Sequence, residues 1–176
     1  AKYHAAFVNA AAKKRLNVSW LGLWNEDSWT PANAQALRDA LDSSGYATTR
    51  ISAPDQGLGG GATFVQALAN ASDPRLRTSI DAVSVHYPKT ISTEPMRSAP
   101  LPIWSSEDWS LDGSEGGAGC LARSLNWNYV EGLYTSTIVW SLITAIPKFA
   151  PFYGTGLLAA GEPWSGHFNQ SAPIFV

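Results

Sequence analysis

Two glutamates stand where an apolar run meets polar residues. Val18 to Trp24 gives way to Asn25-Glu26-Asp27-Ser28, and Leu101-Pro102-Ile103-Trp104 gives way to Ser105-Ser106-Glu107-Asp108. Short runs of that kind read as buried strands. Their polar C-terminal ends are where a barrel or an open α/β sheet does chemistry. Two carboxyl groups brought to one sugar divide the work of breaking a glycosidic bond. One protonates the leaving oxygen, and the other stabilises or captures the oxocarbenium-like transition state. The division requires environments that push the two acidities apart. A carboxyl separation of roughly 5–5.5 Å predicts retention of configuration, and roughly 6.5–9.5 Å predicts inversion.

Neighbouring residues fit the same chemistry. The Asn25 amide can bond a sugar 2-hydroxyl, an interaction that strengthens in the transition state. His86-Tyr87, at the end of another apolar run, can hydrogen-bond a nucleophilic carboxylate and keep it ionised; a structural histidine is the competing reading. Trp140 can stack on a sugar face or fill a core. Glu162-Pro163-Trp164-Ser165-Gly166-His167 is dense in polar and aromatic groups and reads as a rim loop. Other chemistries lack their residues. His4, His86 and His167 are scattered, with no ligand spacing. There is no G-x-S-x-G elbow, and the Gly57–Gly61 cluster lacks the Lys-Ser/Thr of a phosphate loop. No cofactor is implied.

Placing these residues takes an alternation of strands and helices. A helix is predicted over residues 3–15, ending in Lys13-Lys14-Arg15, a charge pattern suited to a helix C-terminus. A strand follows over Val18 to Trp24. Thr30-Pro31 supplies an N-cap and a first-turn proline for a helix that stops at Gly45. Strands are predicted at Thr48–Ala53, Ile80–His86, Pro102–Ser106 and Thr135–Leu142. Helices are predicted at Thr63–Ala69 and Cys120–Gly132. Gly57–Gly61, Lys89–Pro100 and Leu111–Gly119 read as loops. This rhythm argues for βαβ units and a parallel sheet, with the polar strand ends on one side. No G-x-G-x-x-G follows the first strand, which disfavours a dinucleotide fold.

The composition suits one folded domain. Among 176 residues 45% are hydrophobic and 15% charged, as in a globular chain. A formal net charge of -2 gives no reason to expect nucleic acid as a partner. Eight Trp, six Tyr and six Phe are many for this length; most fill a core, and a minority can stack on sugar rings. No run is long enough to span a membrane. Nothing at the start reads as a signal peptide. Asn17, Asn70 and Asn169 begin Asn-x-Ser sequons, a weak pointer to secretion. Cys120 is the single cysteine, so no disulfide can close within this chain.

Taken together, several strings resemble glycoside hydrolase family 59. They are Gly22-Leu23-Trp24-Asn25-Glu26, His86-Tyr87-Pro88, Trp104-Ser105-Ser106-Glu107-Asp108, Thr135 to Trp140 and Glu162 to His167, with Gly117-Ala118-Gly119-Cys120 and Asn128-Tyr129 between them. The resemblance covers nearly the whole chain in order and is weakest around Gly57 to Asp73. It implies an α/β fold, a (β/α)8 TIM barrel, of which residues 1–176 hold a C-terminal portion from about strand 4 to strand 8. Flanking barrel strands and accessory β domains would lie outside it. It also implies Glu26 as acid/base, Glu107 as nucleophile, and Asn25, Trp140, His86, Tyr87 and Ser110 as substrate-binding positions. The implied reaction is retaining hydrolysis of a β-galactoside, with a galactosylceramide-type glycolipid as substrate. A lipid-presenting activator and a secreted or lysosomal location accompany that picture, and Cys120 would pair with a cysteine beyond residue 176. A five-stranded piece of a barrel exposes two unpaired edges, so this segment alone is expected to be inactive or to need a complementing piece. Two further readings stay open: a sugar-binding or scaffold remnant without catalysis, and a retaining β-glycosidase of different sugar specificity.

Overall fold

A computed structural model describes all residues except Thr90 and residues 146–151. The described chain divides into two compact units, one of residues 1–86 with 92–104, the other of residues 87–91 with 105–176.

The first unit opens with helix α1 (Lys2–Lys13), strand β1 (Trp20–Gly22), helix α2 (Pro31–Ser43) and strand β2 (Arg50–Gly57). Helix α3 (Leu58–Ala69), the short helix α4 (Pro74–Arg77), strand β3 (Ala82–His86) and the short helix α5 (Glu94–Ser98) follow. The helices bury one stripe each: Ala5, Val8 and Ala11 on α1; Ala34, Leu37 and Leu41 on α2; Phe64, Val65 and Leu68 on α3. Spacings of three and four put each set on one helical face. Thr30 is the N-cap of α2 and Pro31 its first residue, as that pair predicted, and the Thr30 amide donates to the Asn33 side chain at 2.9 Å.

Strands β1, β2 and β3 are parallel, with Leu21 opposite Ile51 and Ala53 opposite Val83. All five residues of β3 are buried, the pattern of a parallel strand covered on both faces. Strand β4 (Ile103–Asp108) begins in this unit, where the Val83 amide donates to the Pro102 carbonyl at 2.9 Å. The Trp20 and Trp104 rings meet at 4.3 Å, although β1 and β4 stand three places apart in the sheet order. A flat sheet would separate those strands by about 14 Å, so the sheet curls towards the face these indoles share.

The second unit carries the rest of β4, helix α6 (Glu115–Val130), strand β5 (Ser136–Val139) and a small sheet of strands β6 (Ile143–Thr144), β7 (Leu158–Ala159) and β8 (Asn169–Gln170). The Trp140 amide donates to the Asp108 carbonyl at 2.6 Å, which ties β5 to the end of β4. The five long-sheet strands run in the order β1-β2-β3-β4-β5, the alternating parallel arrangement the sequence predicted.

Four segments differ from their expected form, each for a local reason. Strand β2 continues through Pro54-Asp55 instead of ending there, because Asp55 is an extra residue bulged between Pro54 and Gln56. A bulge tolerates proline, which has no amide to give the ladder. The Gly57–Gly61 cluster becomes the first turn of α3, and a Cβ on Gly61 would lie 2.3 Å from Val85 Cγ1, so glycine lets α3 sit close on β3. Within Lys89–Pro100, α5 buries only Met96, too little periodicity to read. Helix α6 starts at Glu115 inside the expected loop, because the Ser114 hydroxyl accepts from the Gly116 and Gly117 amides.

Candidate active site

In the first unit the candidate residues gather beyond the C-terminal ends of β1, β2 and β3. Strand β1 stops at Gly22, and Asn25 and Glu26 lie in the turn that follows, both exposed. The Glu26 amide donates to the Asp55 carbonyl at 3.1 Å, which pins that turn to β2. His86, the last residue of β3, is buried. Its Nδ1 is 3.1 Å from Glu26 Oε1, and its Nε2 is 3.1 Å from Asp55 Oδ1. An imidazole thus lies between two carboxylates. Glu26 (φ 51°) and Asp55 (φ 63°) both hold left-handed backbone conformations, as does Tyr87 (φ 46°) after β3. Such conformations are uncommon for non-glycine residues and cluster where a structure must aim a side chain.

In the second unit Glu107 lies within β4, half-buried. Tyr87 donates its phenolic proton to Glu107 Oε1, and the Tyr87 amide donates to the Glu107 carbonyl at 2.8 Å. Glu107 is thus held to Tyr87 by both a side-chain and a main-chain hydrogen bond. Asp108 points into the unit's interior. Its Oδ2 accepts from Asn128 Nδ2 on α6 at 2.9 Å and from Ser105 Oγ at 3.3 Å. Its Oδ1 accepts from the Trp109 amide at 3.0 Å and lies 3.6 Å from Lys89 Nζ. A fully buried carboxylate needs such partners to offset its lost hydration. Adjacent strand residues project to opposite faces, so anchoring Asp108 against α6 holds Glu107 towards the other side.

Aromatic rings adjoin Tyr87. Trp109 packs against Tyr87 at 6.0 Å, Trp140 at 6.4 Å and Phe152 at 5.4 Å between ring centroids. Trp140 and Phe152 meet edge to face at 5.6 Å. The peptide between Trp140 and Ser141 is cis. Ser110 is fully buried and its hydroxyl donates to the Thr155 carbonyl at 3.1 Å, where it ties two loops of the unit together. Glu162 to His167 is an exposed turn with a short 3-10 helix at Pro163–Ser165.

The 1–176 span is matched throughout by the model of glycosyl hydrolase family 59. The chain belongs to that family. It is 37% identical over 169 residues to a galactocerebrosidase of Danio rerio, covering 96% of this chain and 25% of that protein. Over 171 residues it is 36% identical to the galactocerebrosidase of Homo sapiens, covering 96% and 24%. The chain spans about a quarter of the length of these curated relatives. Among solved structures it resembles the catalytic domain of a GH30 xylanase C from Talaromyces cellulolyticus, with a TM-score of 0.75 at 16% identity over 98% of this chain and 42% of that one. SrfJ of Salmonella typhimurium gives a TM-score of 0.75 at 14% identity. At such identities the likeness shows the fold, and this family 59 chain forms a partial (β/α)8 barrel.

Three residues of this family 59 arrangement escaped the sequence reading: Asp55, Trp109 and Phe152. Asp55 carried a signal, since Pro54-Asp55 ends an apolar run just as Asn25-Glu26 and His86-Tyr87 do. Trp109 directly follows the Glu107-Asp108 pair. Phe152 carried none. Among the described residues no group of three or more His, Cys, Asp or Glu side chains is arranged to hold a metal ion, and no helix is long and apolar enough to cross a membrane. Cys120 is buried and free.

Proposed function

We propose that this chain is the catalytic part of a retaining glycoside hydrolase that cleaves a β-galactosyl linkage, with galactosylceramide-type glycolipids as its substrates. Glu26 acts as acid/base and Glu107 as nucleophile. The observation that carries the reading is the difference between the two carboxylates in a family 59 chain. Glu26 is exposed and faces an imidazole, a partner that can accept or donate a proton. Glu107 accepts the phenolic hydrogen of Tyr87, a bond open to an ionised, nucleophilic carboxylate. The names of the relatives support the sugar and the lipid.

In the first displacement Glu107 attacks the anomeric carbon while Glu26 protonates the departing glycosidic oxygen. Glu26, now a carboxylate, takes a proton from water as that water attacks the galactosyl–Glu107 ester. Asn25 bonds the sugar hydroxyls, and Trp140 with Trp109 offers the apolar wall. A lipid-presenting partner and a secreted or lysosomal setting belong to the same proposal. The exposure of all three sequon residues, Asn17, Asn70 and Asn169, is compatible with glycosylation there.

The test is trapping. The full-length protein incubated with a 2-deoxy-2-fluoro-β-galactosyl fluoride should accumulate a covalent adduct on the peptide containing Glu107, seen by mass spectrometry. Glu26→Gln and Glu107→Gln should each abolish turnover of an alkyl β-galactoside. A label on any other carboxylate, or retained turnover in either variant, would overturn the assignment.

A further inference from the structure

We infer that Asp55 is a positioning residue that fixes the tautomer of His86, so that an unprotonated Nδ1 faces Glu26. The role of Glu26 as acid/base comes from the proposed function above. The tautomer itself stands on the geometry of one unit.

His86 has a carboxylate at each nitrogen, both at 3.1 Å, and its imidazole is taken as neutral, with one N–H. Only one of them can receive that hydrogen. The Asp55 side chain is 19% exposed and that of Glu26 58%. Water can solvate Glu26 but reaches Asp55 poorly, and an N–H donor is worth more where water cannot replace it. The hydrogen therefore resides on Nε2 and points to Asp55. The backbone holds this choice in place. Asp55 is the bulged residue of β2, a device that re-aims a side chain, and its amide donates to Ser84 Oγ of β3 at 3.1 Å.

The chemical consequence falls on Glu26. With a lone pair on Nδ1 facing it, the protonated carboxyl donates a hydrogen bond, and the carboxylate meets an acceptor. A hydrogen bond between Glu26 and Nδ1 suits a group that must begin as an acid and recover its proton from water. Helix α3, packed on β2 and β3, contains no titratable side chain. Arg50 and Asp81 belong to the opposite ends of their strands, with Asp81 accepting from the Ile51 amide. Asp27 is the one further carboxylate on the turn of Glu26.

Two measurements on the full-length protein test this. Long-range proton–nitrogen correlation spectra at neutral pH should show His86 as the Nε2–H tautomer in the wild type, and as a mixture or as Nδ1–H in Asp55→Asn. In the same variant kcat/KM should fall about tenfold further for an alkyl β-galactoside, which needs a proton donor, than for a dinitrophenyl β-galactoside, which does not. An Nδ1–H tautomer or a doubly protonated ring in the wild type overturns the inference without any variant having to fold. Equal losses on both substrates in Asp55→Asn overturn it as well. If instead Glu26→Gln leaves alkyl galactoside turnover intact, the acid/base reading fails while the tautomer assignment is judged by its spectrum.

Discussion

Tyr87 reaches Glu107 twice, through its phenol and through its main-chain amide, and only the first depends on the side chain. Tyr87→Phe therefore removes one hydrogen bond to the carboxylate and keeps the backbone tie and the ring packing on Trp109. Hydrogen bonds to charged groups contribute about 1.5–3 kcal/mol, so kcat/KM for an activated aryl β-galactoside should fall about 10- to 100-fold in the full-length protein. A loss under twofold would mean that the phenol is a bystander. At this scale the sequence was informative where polar residues interrupt apolar runs, which is how Glu26, Glu107 and His86 stood out. It read His86-Tyr87 as a pair able to bond a nucleophilic carboxylate; the Tyr87 phenol donates to Glu107, and His86 Nδ1 also lies 3.1 Å from Glu26. The meeting of Glu26, His86 and Asp55 depends on strand register and on a bulge, which no residue type announces.

Helix α6 begins where glycines had suggested a loop, and those glycines are not equivalent. A Cβ on Gly117 would lie 1.9 Å from the Asp112 carbonyl oxygen, a backbone atom that cannot rotate away. Gly119 has nothing within 4 Å of such a Cβ. Gly117→Ala should cost about 1–3 kcal/mol as an overpacked position. Gly119→Ala should gain about 0.5–1 kcal/mol from helix propensity. Amide hydrogen exchange over residues 115–130 reads both, faster in the first variant and slower in the second. The same sign in both would show that the helix start is not packed against the Asp112 turn. Strand and helix alternation was readable because buried parallel strands are continuous apolar runs. The boundaries were not, because Ser114 capping, the Asp55 bulge and the Gly61 approach to Val85 are decided by neighbours distant in the fold or by single hydrogen bonds.

At the scale of the whole molecule, the two proposed catalytic carboxylates belong to different compact units, Glu26 to the first and Glu107 to the second. Double displacement assigns them separable tasks, so removing each should leave a distinct chemical trace rather than a common loss. Glu107→Gly opens space for a small anion at the nucleophile's position. Added azide would then attack the anomeric carbon of a β-galactosyl fluoride once and release α-galactosyl azide. Glu26→Gly keeps Glu107 and the covalent intermediate. With a dinitrophenyl β-galactoside, which departs without a proton, azide would intercept the galactosyl–Glu107 ester and release β-galactosyl azide. Anomeric coupling constants by proton NMR distinguish the products. Opposite configurations from the two variants require that each carboxylate act on its own side of the sugar, as retention demands. Exchanged configurations would reverse the roles of the two residues. The same configuration from both would rule out a covalent intermediate on Glu107 and leave family 59 membership as the firmer statement about this chain.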